Sequence, residues 1–244
     1  MKQISDTLDL QQITLVSATS VNIEKTVTSL LVSSEYVNFA NIKLLSDQAP
    51  SVISKNIQQQ AIAPLDLQGY NKFMIEKLND FIDTPFCLVV QPDGFLINPH
   101  LWREDFLEYD YIGAPWFEFM KHGRNFEKVF HFNKNQVGNG GFSLRSKKLL
   151  SILSKLKFED LNCPVKNEDF LICHFLYDYL IDLGVRFAPL KVAQLFSIES
   201  AVGDMPNELE STFGFHGKFW MVNPHLKKLA DRSAHRQNYL NLLD

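Results

Sequence analysis

The chain has 244 residues, 45% of them hydrophobic and 21% charged. At roughly 150 residues per domain, with single α/β domains commonly running longer, this fits one globular domain with a large core and excludes a disordered, collagen-like or coiled-coil chain. The 24 basic and 28 acidic residues leave a formal net charge of −4 with no block of like charges, which argues against nucleic acid as the main partner.

The N-terminal twenty residues lack the apolar core of a secretory signal, and no window approaches the roughly 20 apolar residues of a membrane span, so a cytosolic protein is expected. Residues 13–18 are apolar and rich in β-formers, and the stretch from Asn22 can cap a helix, giving strand, loop, helix. A second strand is predicted over 42–45, ending at Ser46 and Asp47, and a third over 61–67, where Pro64 assigns it to an edge. Phe73, Met74, Leu78, Phe81 and Ile82 recur at helical spacing through 70–82, and Thr84-Pro85 stops the run. The apolar run 86–90 has strand length and leads directly into the turn sequence Gln91-Pro92-Asp93-Gly94, as a buried central strand would.

Strands alternating with helices predict βαβ units and an α/β domain with a mostly parallel central sheet flanked by helices. Ligands of such sheets bind beyond the C-terminal strand ends, so the loops 17–20, 46–47 and 91–94 would share one rim. The second half is less regular. It holds a segment at 101–107, the run YDYIGAPW at 109–116, and a polar loop at 121–136 that is free to move. VGNGGFSLR (137–145) precedes a helix over 146–156, and Asn167-Glu168-Asp169 opens another to about Leu183. A strand-like run at 193–198, a Gly/Pro/acidic loop, FGFHG at 213–217 and a helical tail from Pro224 complete the chain.

The three cysteines, Cys87, Cys163 and Cys173, are odd in number and lack C-x-x-C spacing, which fits reduced thiols and argues against a structural zinc site. Asp93 after a buried strand suits a hard divalent ion, although Pro-Asp-Gly is also an ordinary turn. The glycines at 138, 140 and 141 allow positive φ and close backbone approach, for a ligand or for a tight turn alike. Glu168 and Asp169 open a helix, where acidic residues serve as caps, but a carboxylate at a cleft mouth also serves as a general base. His216, between glycines in an aromatic stretch, is either a metal ligand or a packed loop residue. Arg145 and Lys218 read as exposed cations near glycine loops that can contact phosphate. Cys173 and His174 read as core or helix surface. Gly-x-Ser-x-Gly, Walker and kinase signatures are absent, which disfavours nucleophilic hydrolysis.

Taken in order, LVVQPDGFL (88–96), YDYIGAPW (109–116), VGNGGFSLR (137–145), NEDF (167–170) and FGFHG (213–217) resemble a family of glycosyltransferase-like proteins of the GT-A fold. The similarity covers roughly residues 13–220. It implies a single GT-A-like domain with a nucleotide-binding half at about 10–100, an acceptor and catalytic half at about 101–222, and a C-terminal helix at about 223–244. Asp93 matches the last carboxylate of the family's Asp-x-Asp motif, which binds Mn²⁺ or Mg²⁺ against the donor diphosphate, with Gln91 in the motif's first acidic position. By the same resemblance His216 looks like the second metal ligand, and Gly140, Gly141 and Lys218 would meet the donor. Ser17, Thr19, Asn22 and Asp47 match positions that hold the nucleoside. Trp116, like Trp220, would stack on a sugar unless buried as core. Glu168 and Asp169 look like the acidic motif of inverting enzymes, with Asp169 as base.

The activity implied is metal-dependent transfer of a sugar from a nucleotide-sugar donor, of the UDP type, to a hydroxyl of a glycan or lipid-linked glycan, as in polysaccharide biosynthesis. Lipid-linked acceptors allow peripheral membrane contact, for which Lys227, Lys228, Arg232 and Arg236 offer a basic helix, though a solvated face explains them as simply. Two other readings stay open: a catalytically silent GT-A-like module that holds a sugar nucleotide or glycan, and a nucleotidyltransferase.

Overall fold

The computed structural model describes residues 7–122, 127–200 and 208–244. Four parallel strands form most of its central sheet: β1 (Leu8–Thr19), β2 (Val37–Ser46), β3 (Gln58–Ala61) and β4 (Phe86–Val89). Two strands from the second half extend the sheet past β4: β5 (Tyr111–Ile112) and β8 (Ser143–Ser146). The order is β3-β2-β1-β4-β8-β5, with β8 antiparallel to both of its neighbours. The chain thus adopts the α/β architecture with a mostly parallel central sheet that the sequence predicts.

Alternation along the strands feeds two separate cores, because successive side chains leave a strand on opposite faces. Ile13, Leu15, Leu44, Leu88, Val90 and Leu144 face one side. There they meet Leu30 of α1 (Ile23–Ser34), Phe196 of α6 (Leu190–Phe196), Leu226 of α7 (Pro224–Ala230) and Leu242 of α8 (Arg236–Leu243). Val16, Ala18, Leu45, Cys87 and Val89 face the other side, against Phe73 and Met74 of α2 (Leu67–Glu76) and Leu150 of α3 (Lys147–Leu153). Burial on both faces is why β1 and β4 read as unbroken apolar runs. A third cluster lies under the hairpin of β6 (Phe119–His122) and β7 (Lys128–His131) and includes Trp116, Phe132, Phe170, Leu171 and Leu180.

The register Val16↔Val89 and Thr19↔Ser46 brings the ends of β1, β2 and β4 to one edge, so the three predicted loops do share a rim.

Several boundaries differ from expectation. The third strand is β3, and Pro64 lies beyond it in coil that leads to the Asp66 cap of α2, whose carboxylate accepts from Gly69 N at 2.6 Å. Of the strand expected over 193–198 only the last two residues are one: 193–196 end α6, started after Pro189, and β9 (Ser197–Ile198) pairs with β10 (Gly214–Phe215). Much of the predicted 121–136 loop is hairpin and ordered coil, with 123–126 outside the described residues, as are 201–207 of the Gly/Pro/acidic loop. The helix from Glu168 is three pieces, α4 (Glu168–Phe170), a π-helical turn (Leu171–Phe175) and α5 (Tyr177–Asp182). The C-terminal helix is two, α7 and α8. Among the described residues no helix is long and apolar enough to cross a membrane.

Candidate active site

A cleft of about 800 Å³ opens at the C-terminal rim of the sheet. One wall is the β1–α1 turn, with Ser17, Thr19, Asn22 and Lys25; another is the start of α2, with Asp66 and Tyr70. Gln91, Pro92 and Asp93 form the polar end, and Lys218, Val222 and Leu243 close the side toward the C-terminal helices.

The turn backbone explains the small polar residues. Ser17 Oγ donates to Val90 O at 2.7 Å, tying the end of β1 to that of β4. Ser20 Oγ accepts from Leu65 N at 2.8 Å, drawing the chain before α2 over the turn. Asn22 takes a left-handed conformation with φ 53° as the cap of α1, which asparagine tolerates, and its side chain makes no cap hydrogen bond. Asp47 does not line the cleft.

At the polar end, Gln91 N donates to Gly94 O at 2.8 Å and Gly94 N to Gln91 O at 3.0 Å, so QPDG is a tight turn as well as a candidate site. Gly217 N donates to Asp93 O at 2.7 Å and fastens that turn to the strand end carrying His216. The imidazole then lies between two glycine backbones. A Cβ on Gly94 would stand 2.5 Å from its Cδ2, and one on Gly141 2.1 Å from its Nε2. His216 Nε2 is 3.2 Å from Gln91 Oε1 and 3.7 Å from Asp93 Oδ1, while its Nδ1 is 3.5 Å from Glu199 Oε1. Burial alone would lower the His216 pKa, but the carboxylates of Glu199 and Asp93 outweigh it and hold the value above that of ordinary imidazole.

The second acidic group is built by burial. Glu168 is 4% exposed and pairs with the fully buried Arg145 at 3.0 Å, and Glu168 N donates to Asn71 Oδ1 at 2.9 Å. Arg145 also donates to Ser143 Oγ at 3.0 Å and to Gly140 O at 3.2 Å. Arg145 is therefore not the exposed cation the sequence suggests, and Glu168, committed to it, anchors the start of α4. Asp169 stands beside this pair and accepts from Phe170 N at 2.8 Å. Burial, together with the charge of Glu168, pushes its pKa up to about 7, and its own charge acts on His216 and Tyr70.

The glycines serve approach rather than turning. Gly138, Gly140 and Gly141 have ordinary φ, and Asn139 takes the left-handed position with φ 61°. A Cβ on Gly140 would fall 1.7 Å from Glu168 Oε1, and one on Gly138 2.2 Å from the Trp116 ring. Trp116 itself is 2% exposed, its ring packed on Phe132 and Phe170 at 4.8 and 5.1 Å between centroids. It offers no face to a sugar, which corrects its expected place at the acceptor. Trp220 is buried too, its Nε1 donating to Glu199 O at 2.9 Å.

Three residues in or beside the cleft escape a reading of the sequence. Tyr70 Oη accepts from Gln91 Nε2 at 2.8 Å, Glu199 stands behind His216, and Lys25 projects from the first turn of α1 into the cleft. Helical periodicity makes Tyr70 a core residue, and only the position of Lys25 just after the rim loop hints at its use.

Among the described residues no group of three or more His, Cys, Asp or Glu is arranged to hold a metal ion. A mixed set nonetheless fits one. Neighbouring ligands on a six-coordinate ion with bonds of 2.0–2.1 Å stand about 3 Å apart. Gln91 Oε1, 3.2 Å from His216 Nε2, stands near that separation and Asp93 Oδ1, at 3.7 Å, somewhat beyond it, and the two oxygens are the ligand type that suits Mn²⁺ or Mg²⁺.

A family model described as "Protein of unknown function (DUF5672)" matches residues 54–216. No curated protein matches the chain. Among solved structures, the galactosyltransferase LgtC, in complex with donor and acceptor sugar analogs, aligns over 94% of this chain and 95% of its own, with TM-score 0.51 and 13% identity. The apo form of the glycosyltransferase GlyE of Streptococcus pneumoniae TIGR4 aligns over 94% of this chain and 59% of its own, at TM-score 0.47 and 14% identity. The mannosyltransferase PcManGT from Pyrobaculum calidifontis, in complex with GDP-Man and Mn²⁺, aligns over 99% and 71%, at TM-score 0.44 and 10% identity. At such identities the likeness to LgtC is one of fold, and the fold is GT-A-like.

Proposed function

The chain belongs to the family described as "Protein of unknown function (DUF5672)", and we propose that it is a metal-dependent glycosyltransferase acting from a nucleotide-sugar donor, of the UDP type, on a hydroxyl of a glycan or lipid-linked glycan. The observation that carries this reading is that Gln91 and Asp93, at the polar end of a nucleotide-sized cleft on the C-terminal rim of a parallel sheet, converge with His216 beside them.

In this reading the β1–α1 turn, with Thr19 and Asn22, receives the nucleoside, and Lys25 and Lys218 approach the diphosphate. Both lysines are exposed in the cleft and have no ion-pair partner among the described residues. Asp93, His216 and the Gln91 carbonyl oxygen would hold Mn²⁺ or Mg²⁺, which when bound offsets the negative charge on the leaving diphosphate. Glu199, facing Nδ1 of His216, keeps the Nε2 lone pair directed at the ligand position.

Asp169 acts as the general base. It takes the acceptor O–H proton as that oxygen bonds to the anomeric carbon, and the carbon–oxygen bond to the diphosphate breaks with its electron pair leaving on the nucleoside diphosphate. A base on the face opposite the leaving group inverts the anomeric centre. Glu168 fixes the start of α4 through Arg145 and so holds Asp169 in place.

The experiment is donor turnover measured across a panel of nucleotide sugars with Mn²⁺ and with chelator. Release of nucleoside diphosphate that needs the metal supports transfer. Metal-dependent binding without turnover supports the silent binding module, to which the amide at position 91 lends some weight. Release of pyrophosphate from a nucleoside triphosphate supplied with a sugar 1-phosphate would instead indicate a nucleotidyltransferase.

A further inference from the structure

Gln91 raises a problem of orientation that a carboxylate at the same place would not. An aspartate presents two equivalent oxygens, whereas an amide presents an oxygen on one side and an NH₂ on the other, and only the oxygen can face a cation. The hydrogen bond that the NH₂ group makes therefore decides whether position 91 helps or hinders an ion beside His216.

Tyr70 makes that bond. Its oxygen accepts from Gln91 Nε2 at 2.8 Å, and the amide oxygen is thereby turned to within 3.2 Å of His216 Nε2. Asp66 caps α2 through Gly69 N just before Tyr70, and Asn71 just after it accepts from Glu168 N, so the helix turn that carries Tyr70 is held at both sides.

We propose that Tyr70 is a positioning residue that locks the Gln91 amide with its carbonyl oxygen toward the metal position, so that glutamine can serve where a carboxylate would need no guide. This rests on the metal-dependent reading above.

The test is a double-mutant cycle read by Mn²⁺ binding, with Mn²⁺ alone titrated into the full chain. Tyr70→Phe is expected to weaken Mn²⁺ binding by about tenfold or more, the scale of losing an outer-shell partner. In the Gln91→Glu background, a carboxylate of the same length that needs no aiming, the same Tyr70→Phe change is expected to alter binding by less than about twofold, and the difference between the two backgrounds is the coupling of positions 70 and 91. Equal Mn²⁺ affinity in Tyr70→Phe and the unaltered chain would overturn the role of Tyr70 and leave the transferase reading standing. Equal weakening in both backgrounds would assign Tyr70 to packing and overturn it too. No Mn²⁺ binding by the unaltered chain would remove the ion, and both readings with it.

Discussion

His216 is held by what its neighbours lack. Gly94 and Gly141 leave no side chain above or below the imidazole, and Gly141→Ala would put a Cβ 2.1 Å from Nε2. Overpacking of this kind costs about 1–3 kcal/mol, and the ring must also leave its ligand position. Gly141→Ala is therefore expected to lower the thermal midpoint and abolish Mn²⁺ binding, and adding His216→Ala should recover the stability without recovering the metal. Calorimetric melting and Mn²⁺ titration of the three proteins check this. The companion expectation is that Asp93→Ala removes metal-dependent activity with the fold intact, which activity and melting curves of that variant test together.

Asp169 links activity and stability in opposite directions. Its folded pKa of about 7 lies above the roughly 3.9 of an unfolded aspartate, so the fold binds this proton more tightly than the unfolded chain. The stability it contributes is full below about pH 4 and is lost as pH rises through 7. The base form appears over the same upper limb, so kcat/KM should rise with a midpoint near 7 while stability falls. Asp169→Asn is expected to eliminate turnover and to flatten that part of the stability profile. A variant still active with an unchanged pH profile would remove Asp169 from the role of base.

At the scale of elements, the site hangs on one buried ion pair joining α4 to β8. Glu168 and Arg145 are almost wholly inaccessible, so truncating Glu168 leaves an uncompensated guanidinium. Glu168→Ala should cost about 3–5 kcal/mol in denaturant unfolding, and adding Arg145→Met should restore much of it. This pair was hidden in the sequence, where Arg145 follows glycines like a surface cation and Glu168 resembles a helix cap; only the return of the chain from residue 145 to 168 buries both. The elements that the sequence foretells well are those with a strong local cause. β4 is a continuous apolar run because both its faces are covered, whereas the helix expected over 70–82 is α2, which ends at Glu76, followed by a 3₁₀ turn (Leu78–Phe81) ahead of the Thr-Pro stop. β3 is the polar QQQA of an edge, with no alternation to read, so the strand was expected a few residues late. The six residues 193–198 have an apolar pattern too short to separate strand from helix; packing of Ala193 and Phe196 one turn apart keeps 193–196 helical, and only Ser197 and Ile198 pair as strand.

At the scale of the molecule, the cleft joins segments from the first hundred residues to the C-terminal end: the β1–α1 turn, the start of α2, the end of β4, the segment at 218–222 and the end of α8. The rim was legible from the alternation of strands and helices, because parallel strands must end together. The closing wall was not, since nothing local relates Val222 or Leu243 to Thr19. A donor bound across these segments stabilises the fold by mass action, about 2.7 kcal/mol at a hundredfold excess over Kd. In a thermal-shift series the nucleoside diphosphate alone should raise the midpoint through contacts with the turn and the two lysines, and Mn²⁺ should add a further increment. Asp93→Ala should keep the first shift and lose the second, because the nucleoside and metal contacts lie at different ends of the cleft. Lys218→Ala should do the reverse, lowering the metal-free shift while retaining an increment from Mn²⁺. Were both variants to lose both shifts, the cleft would act as a single fold-dependent pocket, and the division between a nucleoside wall and a metal end would fall.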